Sequence, residues 1–419
     1  MDNTGTLEWL ADTIVKDIQC GLKAYLCQAG NPDDMEKAYK KHVKYSRSRT
    51  GVSAMITQAR HYVPVLPDEM DRHNHLLCTS NGILHLRTGV LTPHRAELLI
   101  TKMTHCEYLA QAECPHWIKF LNEIFDGDKE MLRYIQKAVG YSLTGSTEEQ
   151  CAFFCYGTGR NGKTTFLDTV SAVAGDYAVN IQPETLMVKN NTSGANSDVA
   201  RLKGARFVTS VEPNDGMRLN EGLVKQLTGG DKVTARFQYG SEFEFTPEFK
   251  LWMGTNYKPI IRGTDVGIWR RIHLIPFSVQ IPEDKVDKRL AYRLRQEFPG
   301  ILRWAIEGCL LWQKEGLEQP TAVKDATKEY RAEMDVISAF LGACCTLDPK
   351  GREKASDLYQ AYAKWAIENN EYVMSSRKFG QEMGKRFSKE KSRDGQFYHG
   401  IMLEYGKPYQ ITIGGGEKV

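Results

Sequence analysis

The sequence predicts an α/β protein, with a P-loop core preceded by an N-terminal α+β and helical region and followed by a winged-helix-like module. Three observations predict it. The stretch "FFCYGTGRNGKTTFL" at 153–167 fits G-x-x-x-x-G-K-[ST] through Gly157, Gly162, Lys163 and Thr164, between an apolar β-rich run and a helix-like run. Residues 151–277 alternate strand-like and helix-like runs at α/β spacing. The flanks carry apolar residues at three- and four-residue steps, the period of amphipathic helices.

With 419 residues, 41% of them hydrophobic and 26% charged, the chain has an ordinary globular composition. Its net charge of +3 does not require an anionic partner, so a nucleic-acid surface has to come from local clustering. No run of about 18 uncharged apolar residues exists, and Met1-Asp2-Asn3-Thr4 lacks the basic start of a secretory signal. The expectation is a cytoplasmic protein with no membrane partner. Ten cysteines scatter without a repeating pair, and Cys151 and Cys155 lie C-x3-C inside a strand-like run, which suits packing in a reducing compartment. His73, His75 and Cys78, with His105 and Cys106 further on, lack the C-x2-C partner of common zinc modules, so turn and edge-strand roles are expected.

Along the chain, Leu7, Leu10, Ile14, Ile18 and Leu22 predict a helix over 5–28 that ends near Gly30-Asn31-Pro32. Residues 33–62 read as helical too, and "KAYKKHVKYSRSR" at 37–49 holds Lys37, Lys40, Lys41, Lys44, Arg47 and Arg49 with no acid, as a solvated face or a phosphate-contacting one. Asn81-Gly82 and Thr88-Gly89 punctuate short apolar runs and predict hairpins. Residues 115–145 place Trp117, Phe120, Leu121 and Ile124, then Leu132, Ile135, Val139 and Leu143, on two helical faces split at Gly127. Helices return through 285–315 and 321–347, followed by helices over 355–369 and 375–389 and β-type runs at Tyr398-Met402 and Tyr409-Thr412.

The chemistry-bearing residues lie in the core. Gly157, Gly159 and Gly162 let backbone N–H groups curl around phosphate oxygens, with Asn161 and Thr165 completing a cradle for ATP. Lys163 is expected to reach the β- and γ-phosphates and Thr164 to ligate Mg²⁺. The strand-like Phe207 to Val211 delivers Glu212 to a Pro-Asn-Asp-Gly turn, as a Walker B carboxylate that binds Mg²⁺, activates water, or does both, although the usual aspartate is absent. "FKLWMGTN" ends on Asn256, placed to orient an attacking water. Arg270 and Arg271 precede another strand, and either can serve as an arginine finger supplied to a neighbouring subunit. Between these, Val233, Ala235 and Phe237, then Phe243 and Phe245, alternate around Tyr239-Gly240-Ser241 and predict a hairpin with Gln238 and Tyr239 at its tip.

The order P-loop, strand-Glu, "KQLTGGD", hairpin, strand-Asn and "WRRI..IPF" resembles the superfamily 3 helicases, and most of all the helicase part of the phage and plasmid primase-helicases related to the poxvirus type. "NGILHLRTGVLTPH" and "CPHWIKFLNEIFDGD" are similar to the segment before the motor in that group, so the likeness covers about 75–280. The resemblance implies an AAA+-like core, a homo-hexameric ring, ATP and Mg²⁺ as cofactors, and translocation on single-stranded and forked DNA with 3′→5′ polarity. It assigns Lys163 and Thr164 to phosphate and metal, Glu212 to Walker B and Asn256 to the sensor. It makes Arg270 or Arg271 the finger and the 236–244 hairpin, with Lys232, Arg236, Gln238 and Tyr239, the DNA contact. The patterning and this likeness together divide the chain into an N-terminal α+β region at 1–105, a helical collar at 106–150, the ATPase core at 151–285, a helical segment at 286–350 and the winged-helix-like module at 351–419. No primase segment is read ahead of the motor, so a separate primase and origin DNA are expected partners. A small-molecule P-loop kinase would leave the hairpin idle; an ATP-switched origin-binding initiator is the alternative.

In the last segment Arg377, Lys378, Lys385, Arg386, Lys389, Lys391 and Arg393 outnumber Glu382 and Glu390. Phe379, Met383 and Phe387 recur at four-residue steps, leaving the basic residues on the exposed side of one helix before a wing turn at Asp394-Gly395. Duplex DNA is the ligand expected for Arg377, Lys378, Lys385 and Arg386.

Overall fold

The computed structural model describes residues 6–26, 33–62, 64–66, 69–188, 197–211, 213–263, 266–369 and 371–404. The chain forms two compact units, Met1–Arg72 and His73–Val419. The first holds helices α1 (Thr6–Leu26), α2 (Asp33–Ser46) and α3 (Arg49–Ala59). Ala11 and Val15 of α1 and Val43 and Ser46 of α2 are buried, and the Tyr39 hydroxyl donates to the Ile18 carbonyl at 2.9 Å. The stretch 33–62, expected to be helical, is helical in two segments parted at Arg47-Ser48. There the Ser48 Oγ accepts from Gly51 N at 3.1 Å and caps α3. The bend brings the chain so close that a Cβ on Gly51 would lie 2.2 Å from the Tyr45 carbonyl oxygen.

The second unit opens with β1 (Leu76–Thr79), β2 (Gly82–His85) and β3 (Val90–Thr92), an antiparallel meander with Leu77 opposite Leu84. Helices α4 (Pro115–Ile124) and α5 (Lys129–Ser142) follow. They are parted where Asp126 and Gly127 take φ of 50° and 67°, and the Asp128 carboxylate caps α5 by accepting from Glu130 and Met131 N–H.

The core then runs β4 (Ala152–Tyr156), α6 (Lys163–Ala174), β5 (Ala178–Ile181), α7 (Ser197–Ala200), β6 (Phe207–Val211) and α8 (Glu221–Gly229). It continues through the hairpin β7 (Val233–Arg236) and β8 (Glu242–Phe245), then β9 (Lys250–Thr255), α9 (Val266–Trp269) and β10 (Ile272–Pro276). Five strands form one parallel sheet in the order β10-β4-β9-β6-β5. Both faces are covered, as parallel sheets require. Phe153, Cys155, Phe207 and Trp252 point into a cluster with Phe166, Leu167 and Val170 of α6, whereas Phe154, Val208, Leu251 and Met253 point into a second cluster with Val224 and Leu227 of α8. Cys151 and Cys155 are buried free thiols, pushed up by that burial.

Helices α10 (Leu290–Gln296), α11 (Phe298–Glu315) and α12 (Thr321–Glu333) wrap the sheet. A Cβ on Gly140 of α5 would lie 2.1 Å from Cys309 N, and one on Gly308 of α11 would lie 2.0 Å from Gln136 O, so α5 and α11 cross backbone to backbone. Helix α13 (Val336–Cys344), β11 (Cys345–Thr346), β12 (Arg352–Lys354), α14 (Ala355–Glu368), α15 (Ser376–Gly384), β13 (Lys389–Ser392), β14 (Gly395–His399) and β15 (Met402–Leu403) complete the chain. They share a third core of Ile337, Phe340, Tyr362, Phe379, Met383 and Tyr398. The expected basic helix over 375–389 stops at Gly384: Lys389 and Lys391 lie on β13, and Lys389 Nζ turns back to the Gly380 carbonyl at 2.6 Å. The strand-like run at 409–412 lies outside the described residues. Among the described residues no helix is long and apolar enough to cross a membrane.

Candidate active site

β4 ends in the middle of the sheet, between β10 and β9, and the chain turns over 157–162 into α6. Gly159 and Gly162 take φ of 111° and 79°, where a side chain is strained. Gly157 is required by space: a Cβ there would lie 2.3 Å from Asn161 Nδ2 and 2.5 Å from the Phe277 carbonyl oxygen. Asn161 is 2% exposed and its Nδ2 donates to that carbonyl at 2.9 Å, tying the loop to the chain after β10.

Lys163 opens α6 and is 7% exposed. Its Nζ donates to the Gly157 carbonyl and Asn161 Oδ1, both at 2.7 Å, and to Asn256 Oδ1 at 2.9 Å. Asn256 directly follows β9, the strand beside β4, so the sheet brings the loop lysine and the strand-end amide together. Thr164 is exposed and Thr165 half-buried in the first turn of α6. A cleft of about 650 Å³ adjoins this turn, lined by Gly162, Thr165, Phe120 and His116 and on its far side by Ile281 and Leu290. Glu212 follows the last residue of β6 but lies outside the described residues. Asp215 nearby is exposed, its carboxylate accepting from Gly216 N at 2.8 Å.

Arg270 and Arg271 lie at the opposite end of the strands, beside the first residues of β4. Ile272 pairs with Ala152, the first residue of β4, so the two arginines are a full strand, about 15 Å, from the loop at its C-terminal end. Gln150 Oε1 accepts from Arg270 at 2.9 Å and from Arg271 at 3.4 Å. The pair differs in exposure: Arg271 is 9% exposed and donates to the Gly267 carbonyl at 2.7 Å, whereas Arg270 is exposed beside a hollow with Lys324. His273 is buried next to them, 2.6 Å from the Tyr134 hydroxyl and 2.7 Å from Gln319 Nε2, and burial pushes it down to about 4.

The hairpin pairs Val233 with Phe245 through Arg236 with Glu242. Val233, Ala235 and Phe245 are buried, and Lys232 pairs with Glu244 at 3.7 Å on the exposed side. Gly240 N donates to the Phe237 carbonyl at 2.9 Å and closes the tip. Gln238 and Arg236 are exposed, and Tyr239 is 98% exposed at φ 62°, a left-handed conformation uncommon for an aromatic residue.

In the C-terminal segment Arg377 is exposed and Lys378 half-buried. Lys385 pairs with buried Glu382 at 2.8 Å, and Arg386 forks onto both Asp335 carboxylate oxygens at 2.7 and 2.8 Å, clasping the end of α15 to the start of α13. Two cations that sequence reasoning passed over hold the core together. Lys250 Nζ donates to the carbonyls of Thr144, Ser146 and Glu248, and burial, with the Arg206 charge, pushes it down to about 7. Arg206 donates to the Leu143 carbonyl at 2.9 Å and the His73 carbonyl at 3.1 Å. The available signal was a lysine heading an otherwise apolar strand, "KLWMG". Among the described residues no group of three or more His, Cys, Asp or Glu side chains is arranged to hold a metal ion.

Fold and loop together define an α/β protein with a core compatible with the P-loop type. Family models match it in three segments: "D5 N terminal like" over 2–126, a family of unknown function over 155–271 and "Poxvirus D5 protein-like" over 332–405. Its two end segments thus match D5-type models, the group that the motif order resembles. It is 28% identical over 334 residues to "Putative helicase L207/L206" of Acanthamoeba polyphaga mimivirus, covering 74% of this chain and 34% of that protein. It is 27% identical over 328 residues to "Putative primase C962R" of African swine fever virus, covering 71% of this chain and 34% of that protein. The chain thus spans about a third of the length of these relatives. The solved NrS-1 C-terminal region superposes with a TM-score of 0.44 and 13% identity over 67% of this chain and 64% of that one.

Proposed function

We propose that this chain is the motor of an ATP-dependent replicative DNA helicase of a phage, plasmid or other mobile element. It works as a ring, a homo-hexamer, translocating 3′→5′ on single-stranded DNA at a fork. The observation that carries this reading is the meeting of Lys163 with Asn256 at the ends of two adjacent parallel strands, with Arg270 exposed at the opposite end of the strands. The strand order supports an AAA+-like core, because the P-loop strand lies between the last core strand and the one ending in the sensor.

The residues fit ATP with Mg²⁺. Among the described residues, the Gly157 carbonyl, Asn161 Oδ1 and Asn256 Oδ1 accept from Lys163 and can be exchanged for phosphate oxygens. The N-terminus of α6, 12 residues long, favours negative charge at the same place. Thr164 and Glu212 would hold Mg²⁺, which supplies charge neutralisation of the phosphates. The cleft beside Gly162 and Thr165 would take the base. Asn256 would orient the attacking water, and its bond to Lys163 couples that group to the phosphate-binding cation. Arg270 cannot reach its own loop across the sheet, so it would serve a neighbour's site, which makes the ring the active form.

Tyr239 and Gln238 would contact the DNA strand at the hairpin tip, with Lys232 and Arg236 behind them. The helices α13, α14 and α15 against the β12-β14-β13 sheet support the winged-helix reading of the last segment, with Arg377 and Lys378 open to duplex or origin DNA. The test is whether single-stranded DNA accelerates ATP hydrolysis and whether hydrolysis displaces a strand. Lys163→Ala should abolish both, and Tyr239→Ala should keep basal hydrolysis while losing stimulation and displacement. Hydrolysis indifferent to DNA, with no displacement, would overturn the helicase in favour of an ATP-switched initiator.

A further inference from the structure

The segment from Lys37 to Pro67 holds seven Lys and Arg residues and no Asp or Glu, in a chain whose net charge is only +3. Basic helices of ordinary surfaces interleave acids at four-residue steps, whereas from Lys37 to Arg49 no acid is interleaved; Glu36, just before, pairs with Lys40 at 2.6 Å. Helix geometry sorts α2 into two faces. Tyr39, Val43 and Ser46 point inward, Tyr39 bonded to α1 and the other two buried. Lys37, Lys40, Lys41 and Lys44 fall within an arc of about 100° on the other side, and all four are exposed. From Lys37 to Lys44 this strip runs about 10 Å along the helix axis, and Arg49 at the start of α3 is exposed as well. Tyr45, 53% exposed, stands at its margin.

A row of ammonium groups with an aromatic ring beside it fits a sugar-phosphate backbone whose bases are free to stack. We propose that the α2 face is a sequence-independent contact for single-stranded DNA, separate from the hairpin of the core. The proposal concerns binding alone and requires no hydrolysis.

The experiment uses the full chain and a labelled oligothymidylate, with a blunt duplex of equal length as second probe, each titrated across a salt series. The triple variant Lys37→Gln, Lys41→Gln, Lys44→Gln should make the log–log salt slope for the oligothymidylate shallower by about 2, since each single-strand phosphate contact contributes about 0.7. Its melting temperature and DNA-free ATP hydrolysis should stay at wild-type values, because all three side chains are exposed. Tyr45→Ala should weaken binding about tenfold with the slope unchanged. The same slope change should appear in the Lys163→Ala background, so the strip and the motor can fail independently. An unchanged slope in the folded triple variant overturns the proposal, and so does a change confined to the duplex probe. Should the triple variant melt early, Lys41→Gln alone carries the test, with an expected change of about 0.7.

Discussion

Asn256→Ala removes one acceptor from Lys163 and keeps the Gly157 carbonyl and Asn161 Oδ1, at 2.7 Å each, among its partners. A hydrogen bond to a charged group is worth about 1.5–3 kcal/mol, and Lys163 can tighten onto its remaining partners, so the cost to stability in urea should sit at the low end, near 1.5 kcal/mol. The effect on catalysis should be larger. A group that orients water acts on the transition state, and losing one such group costs about 10²–10³ in kcat, with KM changed only a few-fold. Steady-state hydrolysis and urea unfolding of the same preparations measure both. Asn256→Asp supplies a second sign: it would put a carboxylate where an oxygen now lies 2.9 Å from the lysine cation, holding it in place and repelling phosphates, so KM should rise. A kcat within twofold of wild type in Asn256→Ala would refute the sensor reasoning. A raised KM with unchanged kcat would move Asn256 to ground-state binding.

Arg270→Ala should leave melting unchanged and lower hydrolysis by about 10³, with activity partly restored on mixing with Lys163→Ala subunits; Arg271→Ala, at a residue only 9% exposed, should instead lower stability. No restoration on mixing would sink the shared site. His273 is pushed by burial from 6.5 down to about 4, so between those values the unfolded chain binds a proton that the native one does not, and stability falls with acidification by about 3 kcal/mol. His273→Gln should flatten that part of the urea-midpoint profile, and parallel profiles would count against it. Gly140→Ala would place a Cβ 2.1 Å from Cys309 N and force α5 off α11. A loss of about 1–3 kcal/mol in urea unfolding is expected, and an unchanged midpoint would refute the close crossing.

What lies within a short window was legible in the sequence. The loop from Gly157 to Lys163 needs particular backbone conformations at Gly159 and Gly162, and those are written residue by residue. The hairpin around Tyr239, the break at Gly127 and the turn at Asp394 follow from alternation and turn chemistry in the same way. The helical reading of 33–62 holds, and where it divides was not legible, because the break at Arg47-Ser48 is set by one serine cap and the tight approach at Gly51. The reach of the basic helix was overstated because charge says nothing about where Gly384 lets the chain leave.

Contacts between distant windows were decided by the tertiary structure. Lys163 and Asn256 are 93 positions apart and meet because β9 pairs with β4. Adjacent Arg270 and Arg271 are equivalent by sequence, yet one is exposed and the other is packed under α9 by the end of the strand. Arg386, one basic residue among many by sequence, is committed to Asp335 across the module. Gly140 and Gly308, unremarkable in their own helices, permit the helix crossing that supports the sheet. Local propensity sets dihedral angles and faces, but which face meets which depends on strand order and helix crossing, and those are chosen by the packing of the whole chain.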